Sequence, residues 1–330
     1  MTWISDQAIL RLREAAEFPD LSDTPYRVLS RLASGGMGIV YLAEDTRLDR
    51  KVAIKVTNII DDTGALASRM LDEAKVIARL EHPGIVPVHD LGTLPDGRVF
   101  YVMKFVRGNS LDEYLKEASL LSDRLRIFQR VCEAVAFAHS KGFIHRDLKP
   151  ENIMVGQFGE VLVMDWGVAT NVIVDRSTGN ADHAVVVGTP VYMAPEQAQG
   201  ETRNLDQRAD VYSLGGVLYF LLTERPPFAA DNQSGHRFTP TSPRQLNSSI
   251  TRAIEAICLK AMSYDPLQRY ASASELSDDI TRFLDGHSVS AYQENLFERV
   301  ARWTGKNRFI VLMILAYLIM RIFVLLIFSR

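Results

Sequence analysis

The sequence HRDLKPEN at residues 145–152 is the most informative segment of this chain. Six charged or polar side chains lie in it around Leu148 and Pro150, a combination that is very improbable for an arbitrary surface loop. Thirteen residues after Asn152, the tripeptide Asp165-Trp166-Gly167 directly follows the apolar run at 161–164. The tripeptide alone would be weak evidence for a functional site. Because it follows the octapeptide closely in the chain, it indicates a second part of the same site.

The sequence before the octapeptide reads mainly as short strands, and the sequence after it mainly as helix. Runs rich in Val and Ile begin at Tyr26 and are separated by Gly and Asp-Arg turns, which is typical of antiparallel strands. Residues 66–80 have helical spacing, and longer helical patterns follow near 121–141, 207–222 and 250–262. A strand-rich first third and a helical remainder predict an α+β protein with two lobes of different class.

Length and composition exclude several classes of protein. The 330 residues suffice for one large bilobal domain, and 47% hydrophobic residues can form a sizeable core. The net charge of −3 excludes a chain built to coat nucleic acid, so no nucleic-acid partner is predicted. Only two cysteines are present, Cys132 and Cys258. They provide no disulfide framework, and a reducing compartment is the simpler prediction.

The C-terminal segment differs from the rest of the chain. Residues 309–328 are apolar except for Arg321, and at ~1.5 Å per residue they would span roughly 30 Å as a helix. This predicts a transmembrane helix and the lipid bilayer as a partner; the alternative is a buried helix of the core. A basic cluster precedes the segment and predicts a single-pass membrane protein with its folded domain in the cytoplasm. The cluster comprises Arg299, Arg302, Lys306 and Arg308.

The motifs together resemble those of protein kinases, most closely the bacterial eukaryotic-like (Hanks-type) serine/threonine kinases. The octapeptide matches the catalytic loop of that family. Other matches fall in the family's order over residues 32–269: a glycine-bearing segment at 32–41, Val52-Ala53-Ile54-Lys55, Gly188-Thr189-Pro190 and Ala194-Pro195-Glu196. The resemblance implies the bilobal kinase fold, with a small lobe of one antiparallel sheet plus one helix and a larger, mainly helical lobe.

The resemblance also implies a division of the chain. We expect an N-terminal extension at 1–25, with a short helix at 5–18, and a kinase domain at 26–284. The kinase domain would comprise a small lobe at 26–103 and a large lobe at 107–284, followed by a basic juxtamembrane segment at 285–308 and the transmembrane helix at 309–328.

Four residues receive catalytic roles from the resemblance. Asp147 would accept or orient the proton of the attacking hydroxyl, and Lys149 would steady the transferring phosphoryl group. Lys55 would bind the α- and β-phosphates and pair with Glu73 of the helix at 66–80. Asp72 is the neighbouring alternative to Glu73, but successive helix residues point about 100° apart, so only one of them faces the lysine.

The cofactors implied by the resemblance are ATP and Mg²⁺, with Mn²⁺ as an alternative metal. Asn152 and Asp165 would hold the metal. ATP would lie under the glycine-bearing loop and against the hinge between the lobes. The implied nucleotide site comprises Leu32, Ala33, Ser34, Gly35, Gly36, Met37, Gly38, Ile39, Val40, Lys55, Met103, Lys104 and Val106.

Three positions depart from the family's pattern. Ala33 replaces the first glycine of the loop, which predicts a somewhat stiffer loop. Trp166 replaces the usual phenylalanine, which normally packs between the lobes. Lys104 stands in the hinge where an acidic residue is usual; because the hinge contacts adenine through backbone groups, we expect nucleotide binding to survive and substrate preference to differ.

Structural roles are implied for four further residues. The Thr189 hydroxyl would bridge the catalytic Asp and Lys, and Asp210 would support the backbone of the catalytic loop. Glu196 is expected to form a buried ion pair with Arg269.

An arginine beside the catalytic aspartate, Arg146, is typical of kinases whose activation loop docks a phosphate. A phosphate can order a loop by pairing with arginine. Of the hydroxyls between Asp165 and Glu196, we favour Ser177 and Thr178 as candidate phosphosites; the alternative is a solvated, unmodified loop.

The implied activity is transfer of the γ-phosphoryl of ATP to Ser/Thr hydroxyls of proteins, with signalling and autophosphorylation. A homodimer for trans-phosphorylation is a weaker hypothesis. One alternative is a membrane-anchored pseudokinase scaffold, whose usual mark is loss of the catalytic or metal-binding residues, and none is lost here. The other is a kinase of small molecules or lipids. The Lys149-Pro150-Glu151 sequence and the peptide-binding platform of the activation segment argue against it.

Overall fold

A computed structural model describes most of the chain. The described residues are 18–35, 38–57, 64–116, 120–167, 170–171, 190–200, 205–228, 240–295, 298–300, 304 and 308–328. Except for Phe18, the predicted N-terminal helix lies outside them.

The small lobe is a five-stranded antiparallel sheet with one helix. Its strands are β1 (Tyr26–Ser34), β2 (Gly38–Asp45), β3 (Arg50–Thr57), β4 (Val88–Thr93) and β5 (Val99–Lys104), in the order β1-β2-β3-β5-β4. Helix α1 (Ala65–Arg79) lies between β3 and β4 in the chain. Strand β4 begins directly after Pro87, which has no N–H to donate to a ladder.

The central strands of this sheet are buried on both faces, and the two-residue period of a strand sorts their side chains. On β3, Val52 and Ile54 join a small core on one face of the sheet. Ala53 faces the other way, into the large core that α1 shares. On β5, Tyr101 and Met103 also join the large core. Ala53 of β3 and Tyr101 and Met103 of β5 therefore lie on the face of the sheet toward α1.

The large lobe is mainly helical, as predicted. Short strands line its border with the small lobe, and Val163 donates a backbone hydrogen bond of 2.8 Å to Gly84, which ties the two lobes together. The strands are β6 (Gly108–Ser110), β7 (Phe143–Ile144), β8 (Ile153–Gly156), β9 (Val161–Val163) and β10 (Thr170–Asn171). The helices are α2 (Leu111–Tyr114), α3 (Leu121–Ser140), α4 (Pro195–Ala198), α5 (Arg208–Thr223), α6 (Pro243–Leu246), α7 (Arg252–Ala261) and α8 (Ala273–Leu284), and α9 (Arg308–Phe328) follows them.

The core of the large lobe forms around α5. This helix is buried almost all round, as expected of a helix that is hydrophobic on every side. Helix α3 packs against it with an apolar stripe that includes Phe128 and Val135. Cys132 and Cys258 are both buried in this core as free thiols. The bilobal kinase-type architecture predicted from the sequence is confirmed.

The predicted membrane span is wrong. In the part of the chain that the structure describes, no helix combines the length and apolar character needed to cross a bilayer. Helix α9 covers the predicted segment. The prediction of a single-pass membrane protein with a cytoplasmic kinase domain is corrected accordingly.

Candidate active site

Lys55 is held in the middle of the small lobe by a buried carboxylate. Its Nζ lies 2.9 Å from both Oε1 and Oε2 of Glu73 on α1. Burial alone would lower the pKa of Lys55, but the charges of Glu73 and Asp165 raise it above its ordinary value. The lysine therefore stays protonated. Asp72 is exposed and pairs with Lys75 at 3.6 Å, so Glu73 is the residue that faces Lys55.

Asp165 meets the same lysine from the large lobe. Lys55 Nζ donates to Asp165 Oδ1 at 2.8 Å, and the carboxyl remains 43% exposed. Burial would raise the pKa of Asp165, but the charge and hydrogen bond of Lys55 hold it below its ordinary value. The residue has φ +58°, an uncommon backbone conformation that turns the chain after β9. An ionised carboxylate thus faces the cleft between the lobes.

The catalytic-loop residues form a second charged group. Lys149 Nζ donates to Asp147 Oδ2 at 2.9 Å. The amide nitrogen of Asn152 donates to the carbonyl of Asp147 at 2.9 Å and to its Oδ2 at 3.2 Å. The two groups are joined by the backbone, since Met164 N–H donates to Asn152 C=O at 2.8 Å. Pairing of β8 with β9 creates this contact.

Asp210 supports the catalytic loop from α5. Its Oδ2 accepts from His145 N–H at 2.8 Å, and its Oδ1 accepts from Arg146 N–H at 2.9 Å. The ring of His139 on α3 lies 2.7 Å from Oδ2. Burial would raise the pKa of Asp210, but these hydrogen bonds and the neighbouring histidines lower it. A fully buried carboxylate therefore fixes the start of the loop.

The expected ion pair between Glu196 and Arg269 is present. Two hydrogen bonds of 2.6 and 2.7 Å join the guanidinium to the carboxylate, a fork-on-fork geometry that adds orientation to attraction. Arg269 also lies 4.9 Å from the ring centre of Tyr212. Glu196 lies on α4 and Arg269 lies between α7 and α8, so the pair joins two separate segments of the large lobe.

The described residues that the sequence predicts for the nucleotide site include Val40 on β2 and Met103 on β5. Val40 and Met154 are half-buried and pack on the large core, one from β2 and one from β8. Met103 is buried, whereas Lys104 is exposed and donates its N–H to Pro87 at 3.1 Å. Among the described residues, the backbone of Val106 forms no hydrogen bond with another protein group. Its peptide groups can therefore serve an adenine ring.

The glycine-bearing hairpin joins β1 to β2, whose pairing shifts register between Val28 and Ser30 and between Arg31 and Ala33. Leu32, Ala33 and Ser34 lie in β1 with exposed side chains, and Ala33 pairs with Val40. Ala33 is not among the residues with positive φ, so the position does not require glycine's conformational freedom. Gly35 N–H donates to the carbonyl of Gly38 at 2.9 Å, which closes the turn. Ile39 is half-buried and packs on the small core.

Five predicted residues lie outside the described part of the chain: Gly36, Met37, Ser177, Thr178 and Thr189.

Trp166 occupies the position usually taken by phenylalanine and is fully buried. Its ring centre lies 4.5 Å from that of His145, and its Nε1 donates to Val163 C=O at 3.4 Å. The larger indole is thus accommodated with its polar atom satisfied.

The residues present fit a nucleotide with a hard divalent cation. Asn152 uses its amide nitrogen within the protein, so its oxygen can face a metal. Asp165 is ionised and half-exposed. Magnesium binds through one or two carboxylates together with phosphates and water, rather than through a dedicated protein cage. Among the described residues, no group of three or more His, Cys, Asp or Glu side chains could hold a metal by itself.

Sequence reasoning missed two residues of this site: Tyr101 and Gln197. The Tyr101 hydroxyl donates to Glu73 Oε1 at 2.9 Å. Gln197 Nε2 donates to the carbonyl of Arg146 at 2.8 Å. A polar residue within an otherwise apolar strand was the only sequence signal for Tyr101. The hydrogen bond between Gln197 and Arg146 joins residues 51 positions apart, so no local sequence pattern could indicate it.

This bilobal fold, with an ion-paired lysine above a catalytic loop, defines a protein kinase domain. The family model described as protein kinase domain matches residues 26–284, and the chain belongs to this family. The predicted resemblance to bacterial eukaryotic-like serine/threonine kinases is confirmed by its relatives.

The relatives include two bacterial serine/threonine-protein kinases, PknB and PknD. The chain is 38% identical over 282 residues to serine/threonine-protein kinase PknB of Mycolicibacterium smegmatis, an alignment covering 82% of this chain and 44% of that protein. It is 36% identical over 295 residues to serine/threonine-protein kinase PknD of Chlamydia felis, covering 79% of this chain and 31% of that protein. The chain thus spans less than half the length of either relative.

A solved structure shows the same fold. The PknI kinase domain of Mycobacterium tuberculosis superimposes with a TM-score of 0.61 at 26% sequence identity, over 78% of this chain and 96% of that domain.

Proposed function

We propose that the chain transfers the γ-phosphoryl group of ATP to Ser and Thr hydroxyls of protein substrates. One observation carries the proposal: polar contacts join Glu73 and Lys55 of the small lobe to Asp165 of the large lobe. The residue before Asp165, Met164, is hydrogen-bonded through its backbone to Asn152, whose side chain donates to Asp147. The names of the relatives, all serine/threonine-protein kinases, support the choice of acceptor.

The basic residues of the site would hold and neutralise phosphate oxygens. When bound, ATP with one or two Mg²⁺ supplies the phosphoryl group and the metal charge that offsets its oxygens. Lys55 presents a fixed positive charge from β3 toward the α- and β-phosphates. Lys149 presents a second charge beside Asp147, where the transferring group gains charge density. Asn152 and Asp165 provide the oxygen ligands that hold the metal.

Asp147 would prepare the attacking hydroxyl. Its Oδ2 is bound by Lys149 and Asn152, which fixes the orientation of the carboxylate. The substrate hydroxyl would donate to this carboxylate and so be directed in line at the phosphorus atom. A proton acceptor held in this way contributes by position as well as by basicity.

The test is transfer of labelled γ-phosphate by the full chain to a mixed protein substrate, with Mg²⁺ added or chelated. Lys55→Met should lose most activity because the phosphates lose their positioning charge, and Asp147→Asn because the hydroxyl loses its acceptor. Lys51→Met, an exposed lysine on the same strand, is the matched control and should retain activity. Equal incorporation in all four proteins would refute the proposal. Binding of ATP without Lys55-dependent transfer would favour the pseudokinase scaffold.

Control by autophosphorylation is part of the proposal. Arg146 lies beside Asp147, and a phosphate on Ser177 or Thr178 would supply about −1.5 to −2 charge for pairing with arginine. Two copies that meet transiently could phosphorylate one another. Mass spectrometry of the active protein should find phosphate on these residues in wild type and none in Asp147→Asn. An unmodified loop in fully active protein would exclude this control.

A further inference from the structure

Tyr101 is a polar side chain in the interior of the small lobe. It is 1% exposed, and its hydroxyl donates to Glu73 Oε1 at 2.9 Å. It lies on β5 directly opposite Lys55 on β3, so the register of the sheet places both residues on the face toward α1. Lys55 Nζ is 5.8 Å from the centre of its ring. The phosphoryl-transfer roles assigned above do not use this hydroxyl.

Glu73 needs a second donor because its lysine is shared. The side chain is buried, and a buried carboxylate must have its oxygens hydrogen-bonded. Lys55 reaches both oxygens of Glu73, but it also donates to Asp165 at 2.8 Å. Tyr101 adds a donor from a rigid central strand, and this donor does not depend on the position of Lys55.

The hydroxyl of Tyr101 remains protonated at ordinary pH. Burial raises its pKa well above the usual value, and the charges of Glu73 and Asp165 raise it further. The group is therefore a permanent donor, and its bond joins α1 to the sheet.

We propose that Tyr101 is a positioning residue for phosphoryl transfer, which fixes the Glu73 carboxylate and thereby the direction of Lys55. The inference rests on the proposed kinase function. Tyr101 is not among the residues assigned to hold phosphate or metal; its hydroxyl contacts Glu73, and it acts through the ion pair. Without the hydroxyl, the carboxylate can rotate, and the lysine loses its fixed direction toward the phosphates.

The test compares two tyrosines of the same sheet. Tyr101→Phe removes only the hydroxyl and should lower kcat about tenfold, the scale of one hydrogen bond to a charged acceptor. KM for ATP should change little, because the loss falls on alignment in the transition state. Tyr26→Phe is the matched control, since Tyr26 is also buried and donates to a carboxylate, Asp90 Oδ2, at 2.7 Å. It should keep wild-type kcat, and Tm is measured for both variants.

A double-mutant cycle tests whether Tyr101 acts through Glu73. In a Glu73→Met background the acceptor is absent, so Tyr101→Phe should have no further effect on kcat. The inference is overturned by wild-type kcat in Tyr101→Phe, by an equal loss of kcat in both tyrosine variants, or by an undiminished tenfold effect in the Glu73→Met background. Activity that is lost in Lys55→Met but kept in Tyr101→Phe overturns the inference alone. Absence of Lys55-dependent activity overturns the proposed function and the inference together.

Discussion

Arg146 holds the catalytic loop in an uncommon backbone conformation, with φ +68°. A non-glycine residue in the left-handed region is strained by about 1–3 kcal/mol and persists only where its surroundings fix it. Here both sides of the residue are held: Asp210 accepts from its N–H, and Gln197 donates to its C=O. The strain directly precedes Asp147, so its relief would move the catalytic carboxylate.

Gln197→Ala should lower kcat without unfolding the protein. It removes the hydrogen bond to the Arg146 carbonyl. Such a bond contributes about 0.5–1.5 kcal/mol, which corresponds to a loss of about 2- to 12-fold in rate. Gln199→Ala is the control, because Gln199 is exposed and its side chain donates to the exposed Tyr264 hydroxyl, at 3.0 Å, rather than to the catalytic loop. Steady-state kinetics on both variants, with Tm measured alongside, would contradict this account if their losses were equal.

At the scale of the element, strand β2 begins at a glycine that its neighbours require. Gly38 pairs with Thr57 of β3, and a Cβ at this position would lie 2.4 Å from the carbonyl oxygen of Val56. Because this neighbour is a backbone atom, it cannot move aside as the end of a flexible side chain could. The sequence predicts Gly38 as a place where phosphates approach the backbone, and the packing of the sheet provides a second, independent reason for glycine.

Gly38→Ala should therefore destabilise the protein even when no nucleotide is bound. Overpacking of this kind typically costs about 1–3 kcal/mol, measured as a lower Tm in a thermal melt without ATP. Gly35→Ala is the matched variant from the same hairpin: its Cβ would meet nothing closer than 4.0 Å. An unchanged Tm in Gly38→Ala, or an equal drop in both variants, would show that the close contact with Val56 relaxes freely.

At the scale of the whole molecule, the described fold continues beyond the matched kinase domain. Asp279 on α8 is 1% exposed. It accepts from Ser290 N–H at 2.8 Å, from Ser290 Oγ at 2.7 Å and from Ala291 N–H at 3.1 Å. Tyr270 adds its hydroxyl at 2.9 Å. One buried carboxylate thus attaches the residues after Leu284 to the large lobe.

Stability should depend on the ionisation of Asp279. Burial would raise its pKa, but these hydrogen bonds lower it below the ordinary value of about 3.9. A depressed pKa means that protonation opposes folding. The contribution of Asp279 is therefore complete above about pH 4 and is lost as the pH falls through the folded-state pKa.

Asp279→Asn should reduce the free energy of unfolding by about 1–3 kcal/mol at pH 7. The difference from wild type should shrink as the pH is lowered from 5 to 3. Denaturant titrations at several pH values measure this, with Asp278→Asn, the exposed neighbour, as control. A difference that stays constant across the range would mean that Asp279 acts by packing alone.

The sequence by itself determined the kinase family, the order of strands and helices, and the residues around Lys55, Asp147, Asn152 and Asp165. Each of these depends on residue types at fixed local spacing, because the chemistry of phosphoryl transfer and the period of a strand or helix both act over a few positions. Hydropathy over twenty positions was less reliable: the span predicted at 309–328 was wrong.

Only the tertiary structure decided which distant groups meet. Tyr101 reaches Glu73 because β5 pairs with β3 in one register, and a slip of one residue would turn its side chain to the other face. Gln197 on α4 reaches the carbonyl of Arg146 across 51 positions of the chain, and Asp279 reaches Ser290 because the chain turns after α8. These contacts join residues that share no local pattern, so they exist only once the backbone has folded around the core.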